Sequence, residues 1–185
     1  MKYQVKEKLG IKLNSKKNKI GVLGGSFDPA HKGHLTISRE AKKRFNLDSI
    51  IWAITKKNPF KSQSTTKLLD RINYCKKITK NIDFIKVRFY EDKIKSNKTI
   101  NLINYLTKNE KNEIYFLMGA DNLIYFHKWY KWKIISQKCK ILVFDRQGYK
   151  KKSLNSMTFK RLGNKSLKFI EFHKVNISSS QLRKI

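Results

Sequence analysis

Cysteine is nearly absent from this 185-residue chain, with Cys75 and Cys139 its only two. They have no CxxC spacing and no histidine beside them in a zinc pattern, which excludes a disulfide framework and a structural metal cage. Two buried, unreactive thiols are the expectation. Acidic residues are scarce as well: 13 Asp+Glu stand against 43 Lys+Arg, a formal net charge of +30. No apolar run approaches the ~18 residues that a membrane span needs. The basic start, MKYQVKEKLGIKLNSKKNK, carries no apolar stretch and no small-residue cleavage site, so it does not read as a secretory signal. Together these absences predict a soluble, cytoplasmic protein in a reducing compartment, with no membrane partner.

Arginine is also rare. Only positions 39, 44, 71, 88, 146, 161 and 183 carry it, and every other strong base is lysine. Such a charge attracts polyanions through its long-range field. Readers of phosphates and bases rely on the planar arginine fork, however, and the lysines are spread over the whole chain instead of forming one stripe. A Lys-rich solvated surface is expected, with no specific nucleic-acid partner.

The length suits one domain, here residues 19–185 behind a basic extension over residues 1–18. Ile20, Val22 and Leu23 make a short strand that runs into glycines. His34–Phe45 follows with helical spacing. SIIWAIT at Ser49–Thr55 reads as a buried parallel strand. A loop around Pro59 leads to a helix over Leu68–Lys80, with Leu68, Leu69, Ile72, Cys75 and Ile78 inward. Phe84–Phe89 is strand-like and Thr99–Leu106 helical. EIYFLM at Glu113–Met118 is a strand, Asn122–Ser136 one helix, and Ile141–Phe144 another strand. A weak helix at Met157–Leu162 and a last strand at Leu167–Phe172 complete the pattern. Alternating strands and helices predict an α/β fold, a doubly wound parallel sheet of Rossmann-like type. Its ligand edge is the one after the strands' C-terminal ends.

Three segments carry chemistry. The first is GGSFDPAHKGH, residues 24–34, a glycine turn running into a helix. Glycines admit a phosphate close to the backbone, and a helix start offers N–H groups and partial positive charge. His31 and His34, three apart, can face one anion. Neither GxxxxGK[ST] nor GxGxxG is present. The second, ISSSQLR at residues 177–183, puts hydroxyls ahead of an arginine. It suits phosphate binding, and equally a plain helix cap. The third, GADN at residues 119–122, sets Asp121 at a strand's end, where it fits a ribose hydroxyl or a cap.

Taken together, GGSFDPAHKGH, MGADNLIYFHKW and ISSSQLR resemble the nicotinate-nucleotide adenylyltransferase family of the HxGH nucleotidyltransferases. The resemblance covers nearly all of the chain from Lys19. It implies transfer of the adenylyl group of ATP to nicotinate mononucleotide, giving deamido-NAD and pyrophosphate in NAD biosynthesis, with Mg²⁺ accompanying ATP and no protein-held metal. It implies that His31, His34 and Arg183 act on the phosphates. Gly24, Gly25, Ser26, Phe27, Asp121, Ser178 and Ser180 would hold ATP, and Thr99, Trp129, Lys61 and Arg146 the mononucleotide. Without the resemblance, Trp129 reads as core. The segment departs from the family at Ser180, where Thr is usual. A phosphopantetheine-using sister family has Thr at the place of His31 and lacks the GADN…W segment. A preference for nicotinamide mononucleotide stays open, and so does a nucleic-acid binder without catalysis.

Overall fold

Short runs of branched and aromatic residues set the sheet. In the computed structural model, which describes residues 17–57, 64–108 and 111–171, six of them become strands. These are β1 (Asn18–Gly25), β2 (Ser49–Ile54), β3 (Ile85–Phe89), β4 (Asn112–Gly119), β5 (Lys140–Phe144) and β6 (Leu167–Ile170). They join in the order β3-β2-β1-β4-β5-β6, and every pairing is parallel. The order reverses between β1 and β4, which opens a crevice at their C-terminal ends. Among the described residues no helix is long and apolar enough to cross a membrane.

Both faces of the sheet are covered, as a parallel sheet requires. On one face Leu23, Ile50, Trp52, Leu117 and Phe144 pack under α1 (Lys32–Phe45) and α2 (Leu68–Ile78). The other buries Val22, Phe116, Met118 and Val143. Its cover includes α4 (Thr99–Thr107), which follows the single turn α3 (Glu91–Ile94). The rest comes from α5 (Ala120–Tyr125), α6 (Trp132–Lys138) and α8 (Met157–Ser166), with α7 (Lys150–Leu154) packed on α5 and α8. Alternate residues of β1 and β4 serve opposite faces, the two-residue period of a strand.

Three expectations need correction. Leu69 is 66% exposed, whereas Arg71 is 3% exposed. The buried stripe of α2 therefore runs through Arg71 and Cys75. The segment expected as one helix over Asn122–Ser136 is three pieces: α5, a 3₁₀ turn at Phe126–Lys128, and α6. Lys131, at φ 53°, turns the chain between the last two. Finally, an additional short helix, Lys150–Leu154, precedes the helix expected at Met157–Leu162, which continues to Ser166 across non-helical backbone at Gly163 (φ 54°). Cys75 and Cys139 are unbridged and buried, as expected, and burial pushes both thiols up to about 12.

Candidate active site

The site is assembled where β1 ends. Gly24 and Gly25 close the strand, and Phe27 takes the left-handed φ of 49°. A bulky residue there costs about 1–3 kcal/mol and persists only when its surroundings hold it. Here the surroundings are aromatic. The Phe27 ring is 2% exposed, stacks on Trp52 at 4.9 Å and meets His34 at 4.8 Å. The Trp52 Nε1–H donates to Ser38 Oγ at 2.8 Å, and that hydroxyl donates to His34 O at 2.8 Å. Core packing thus fixes the first turn of α1 against the glycine turn.

The two histidines cap α1 themselves. The Gly33 N–H donates to His31 Nδ1 at 3.1 Å, and the His31 N–H to His34 Nδ1 at 3.2 Å. This is a reciprocal capping box with imidazoles in place of the usual Ser/Thr and Glu/Gln. An Nδ1 that accepts makes Nε2 the proton-bearing nitrogen of a neutral ring. The first turn holds no acidic residue, so no side-chain carboxylate there offsets its positive end. The rings lie 4.0 Å apart. Two N–H donors at a helix start can meet one phosphate.

Across the same glycines lies a cavity of about 330 Å³. Gly24, Thr55, Tyr90, Thr99, Phe116 and Trp129 are among its walls, and Lys57, Lys98 and Lys128 stand around it. Trp129 packs against Phe126 at 5.2 Å and edge-on to Phe116 at 6.0 Å. It is thus both core and cavity wall, and the broken helix puts it there. Gly24 and Gly25 have ordinary φ values, since among the described glycines only Gly148 and Gly163 are left-handed. A Cβ on Gly24 would meet only the Phe116 ring, at 3.8 and 3.9 Å. No intramolecular contact demands glycine at that position; the room it leaves belongs to the cavity.

Asp121 opens α5 directly after β4, and Arg146 follows β5. Arg146 Nη1 donates to Asp121 Oδ2 at 2.6 Å, and the guanidinium also lies over the Tyr149 ring at 5.5 Å. Arg146 therefore stands with Asp121 and not along the wall that holds Thr99 and Trp129.

The family model described as cytidylyltransferase-like matches residues 22–185. A probable nicotinate-nucleotide adenylyltransferase of Pelagibacter ubique is 67% identical over 94% of this chain and 96% of its own length. The chain belongs to the nicotinate-nucleotide adenylyltransferase family. A second member, the probable enzyme of Agrobacterium fabrum, is 39% identical over 70% of each chain. The fold also matches Plasmodium falciparum nicotinic acid mononucleotide adenylyltransferase complexed with NaAD. The TM-score is 0.75 and the identity 21%, over 90% of this chain and 83% of that one.

Of the residues that the family resemblance singles out, the structure gathers Gly24, Gly25, Ser26, Phe27, His31 and His34 at one turn. Thr99 and Trp129 share the cavity beside it. Lys61, Ser178, Ser180 and Arg183 lie outside the described residues. Two residues escaped the sequence reading. Glu91 accepts from the Thr55 hydroxyl and from the Lys56 N–H at 3.2 Å, tying α3 to the loop after β2. Arg71 is the other. Its signal was positional: it lies four residues before Cys75 on the inward stripe of α2.

Proposed function

We propose that this chain transfers the AMP part of ATP to nicotinate mononucleotide, releasing pyrophosphate and forming deamido-NAD. The observation that carries the reading is the shared wall. The Gly24–Gly25 turn borders the histidine-capped helix start on one side and the aromatic, lysine-fringed cavity on the other. A phosphate chain on the first and a pyridine ring in the second would meet at the glycines. The names of the relatives agree with this reading.

The chemistry asks little of the protein beyond placement. The attacking phosphate is already an anion, so no protein base or nucleophile is needed. The Nε2–H groups of His31 and His34 and the amides of α1 would meet charge that grows on the α-phosphate in the transition state. Asp121, held by Arg146, would accept from a ribose hydroxyl. Trp129 would stack on the pyridine ring, and the N-terminal end of α4 at Thr99 would face its carboxylate. Ser178, Ser180, Arg183 and Lys61 complete the phosphate contacts in this reading.

Magnesium enters this reading with ATP. Among the described residues no three His, Cys, Asp or Glu side chains cluster as a metal cage. In this reading Mg²⁺ is carried on substrate phosphates and water, its usual arrangement. When bound, it neutralises phosphate charge. A cytoplasmic location belongs to the same reading, supported by the two unbridged thiols.

The test offers ATP with nicotinate or nicotinamide mononucleotide to the purified protein and measures both products. The nicotinate form should lead in kcat/KM by about tenfold or more, the equivalent of one unpaired buried donor. The ratio should survive high salt, because exposed Lys57, Lys98 and Lys128 are screened while local hydrogen bonds are not. Equal rates for both substrates would sink the acid preference, and no dinucleotide from either would sink adenylyl transfer.

A further inference from the structure

Arg71 is one of the few arginines in a chain whose cations are overwhelmingly lysine, and it is buried. Its guanidinium reaches three separate loops. Nη1 donates to Ser26 O at 2.5 Å and to Thr55 O at 2.9 Å. Nη2 donates to Lys56 O at 3.2 Å, and Nε to Thr66 O at 3.1 Å. Four of its five N–H groups are thus spent on backbone carbonyls. Among the described residues no carboxylate pairs with it. Removing a cation from water is costly, and backbone dipoles offset that cost only when the geometry is good. Fastening the α2 helix alone would not require a charge.

The carbonyls it holds belong to the two halves of the site. Ser26 follows Gly25 in the turn that faces the helix start. Thr55 and Lys56 leave β2, and Thr55 is a wall of the cavity. One nitrogen, Nη1, therefore sets the spacing between them. Lysine could not replace it, because an ammonium lacks the planar fork needed to reach the carbonyls of three loops together.

We propose that Arg71 is a positioning residue for the transfer. It holds the turn that takes ATP at a fixed distance from the wall that takes the mononucleotide, so that attack is in line. The proposal rests on the functional reading above. It predicts a specific division of kinetic effects. Each substrate keeps its own half-site, so binding changes little, while the mutual alignment is lost. A displacement of about 1 Å costs on the order of 100-fold in rate.

The experiment compares wild type, R71K and R71A, with kcat expressed per folded molecule from circular dichroism. For R71K we expect kcat to fall about 100-fold while KM for ATP and for nicotinate mononucleotide each stay within about threefold. Methylguanidinium added to R71A should raise kcat, and should leave wild type unchanged. R71K with kcat within about threefold of wild type overturns the proposal, even if it melts earlier, since the role is then only structural. A loss confined to one KM overturns it as well, and so does failure of both variants to fold. If R71A alone fails to fold, R71K decides. Wild type run alongside separates the two failures: no dinucleotide from wild type refutes the functional reading, whereas an active wild type matched by R71K refutes only the positioning role.

Discussion

Replacing Gly24 by alanine should make the protein more stable and less active. The added Cβ would meet only Phe116, at 3.8 Å, an ordinary contact. The backbone there has no left-handed φ to strain. Alanine in place of a strand glycine is worth about 0.5–1 kcal/mol. For a domain of this size that raises Tm by about 1–4 °C. The same methyl group projects toward Phe116 and the cavity that both residues line. If a ligand packs against Gly24 there, overfilling costs about 1–3 kcal/mol. At 1.4 kcal/mol per factor of ten, kcat/KM falls about 5- to 140-fold. Thermal melting and pyrophosphate release read the two effects separately. An unchanged kcat/KM beside a raised Tm would refute the claim that this glycine exists for ligand approach. A Tm lowered by several degrees would refute the claim that the protein leaves the space open.

The remaining tests reach other parts of the site. His34→Gln can restore the reach-back bond of the capping box, yet it removes the imidazole donor; kcat should fall about 10²–10³-fold with little change in Tm, and a near-normal kcat would end the transition-state role. Trp129→Ala should weaken both mononucleotides by about 1–3 kcal/mol, by analogy with base stacking, and leave their ratio unchanged; a shifted ratio would mean that Trp129 reads the carboxylate. Cys75 and Cys139, pushed up to about 12 by burial, are thiolate to only about one part in 10⁴ at pH 8, so iodoacetamide should label neither until the chain is denatured. Rapid labelling of the native protein would contradict that burial.

The strand, glycine turn and helix at residues 18–45 were legible because three signals agree there: an apolar run, glycines, and helical spacing behind them. The trouble at 122–136 lay in the period. Leu123, Phe126, Trp129, Trp132 and Ile135 recur every three residues. In an α-helix each such step falls about 60° short of a full turn, so the five would wind about 240° around it. A single buried stripe cannot do that. A 3₁₀ turn with a break at Lys131 can, and the break is what gives Trp129 its place in the cavity. Arg71 was missed for a different reason. Reading inward positions as apolar assigned Leu69 to the core, although 69 lies off the stripe that Cys75 defines. The capping box was hidden too, because residue type marks Ser, Thr, Asp or Asn as caps and an imidazole passes unnoticed.

The charges of this chain divide into two kinds of work. The lysine field of a +30 protein reaches far and draws in anionic substrates, but it is weak per residue and salt reduces it. It gives the more highly charged mononucleotide only a weak advantage that salt removes. Selection and alignment have to come from groups whose positions are fixed. In the described structure those groups are few and each is held by the core: His34 through Ser38, Trp52 and Phe27, and Arg71 through four carbonyls. The two kinds should therefore separate under salt. Raising ionic strength should lift both KM values while kcat stays nearly constant, because the aligned donors are shielded from ions that the surface lysines meet. A kcat that falls in parallel with the rise in KM would mean that surface lysines take part in the transfer step itself.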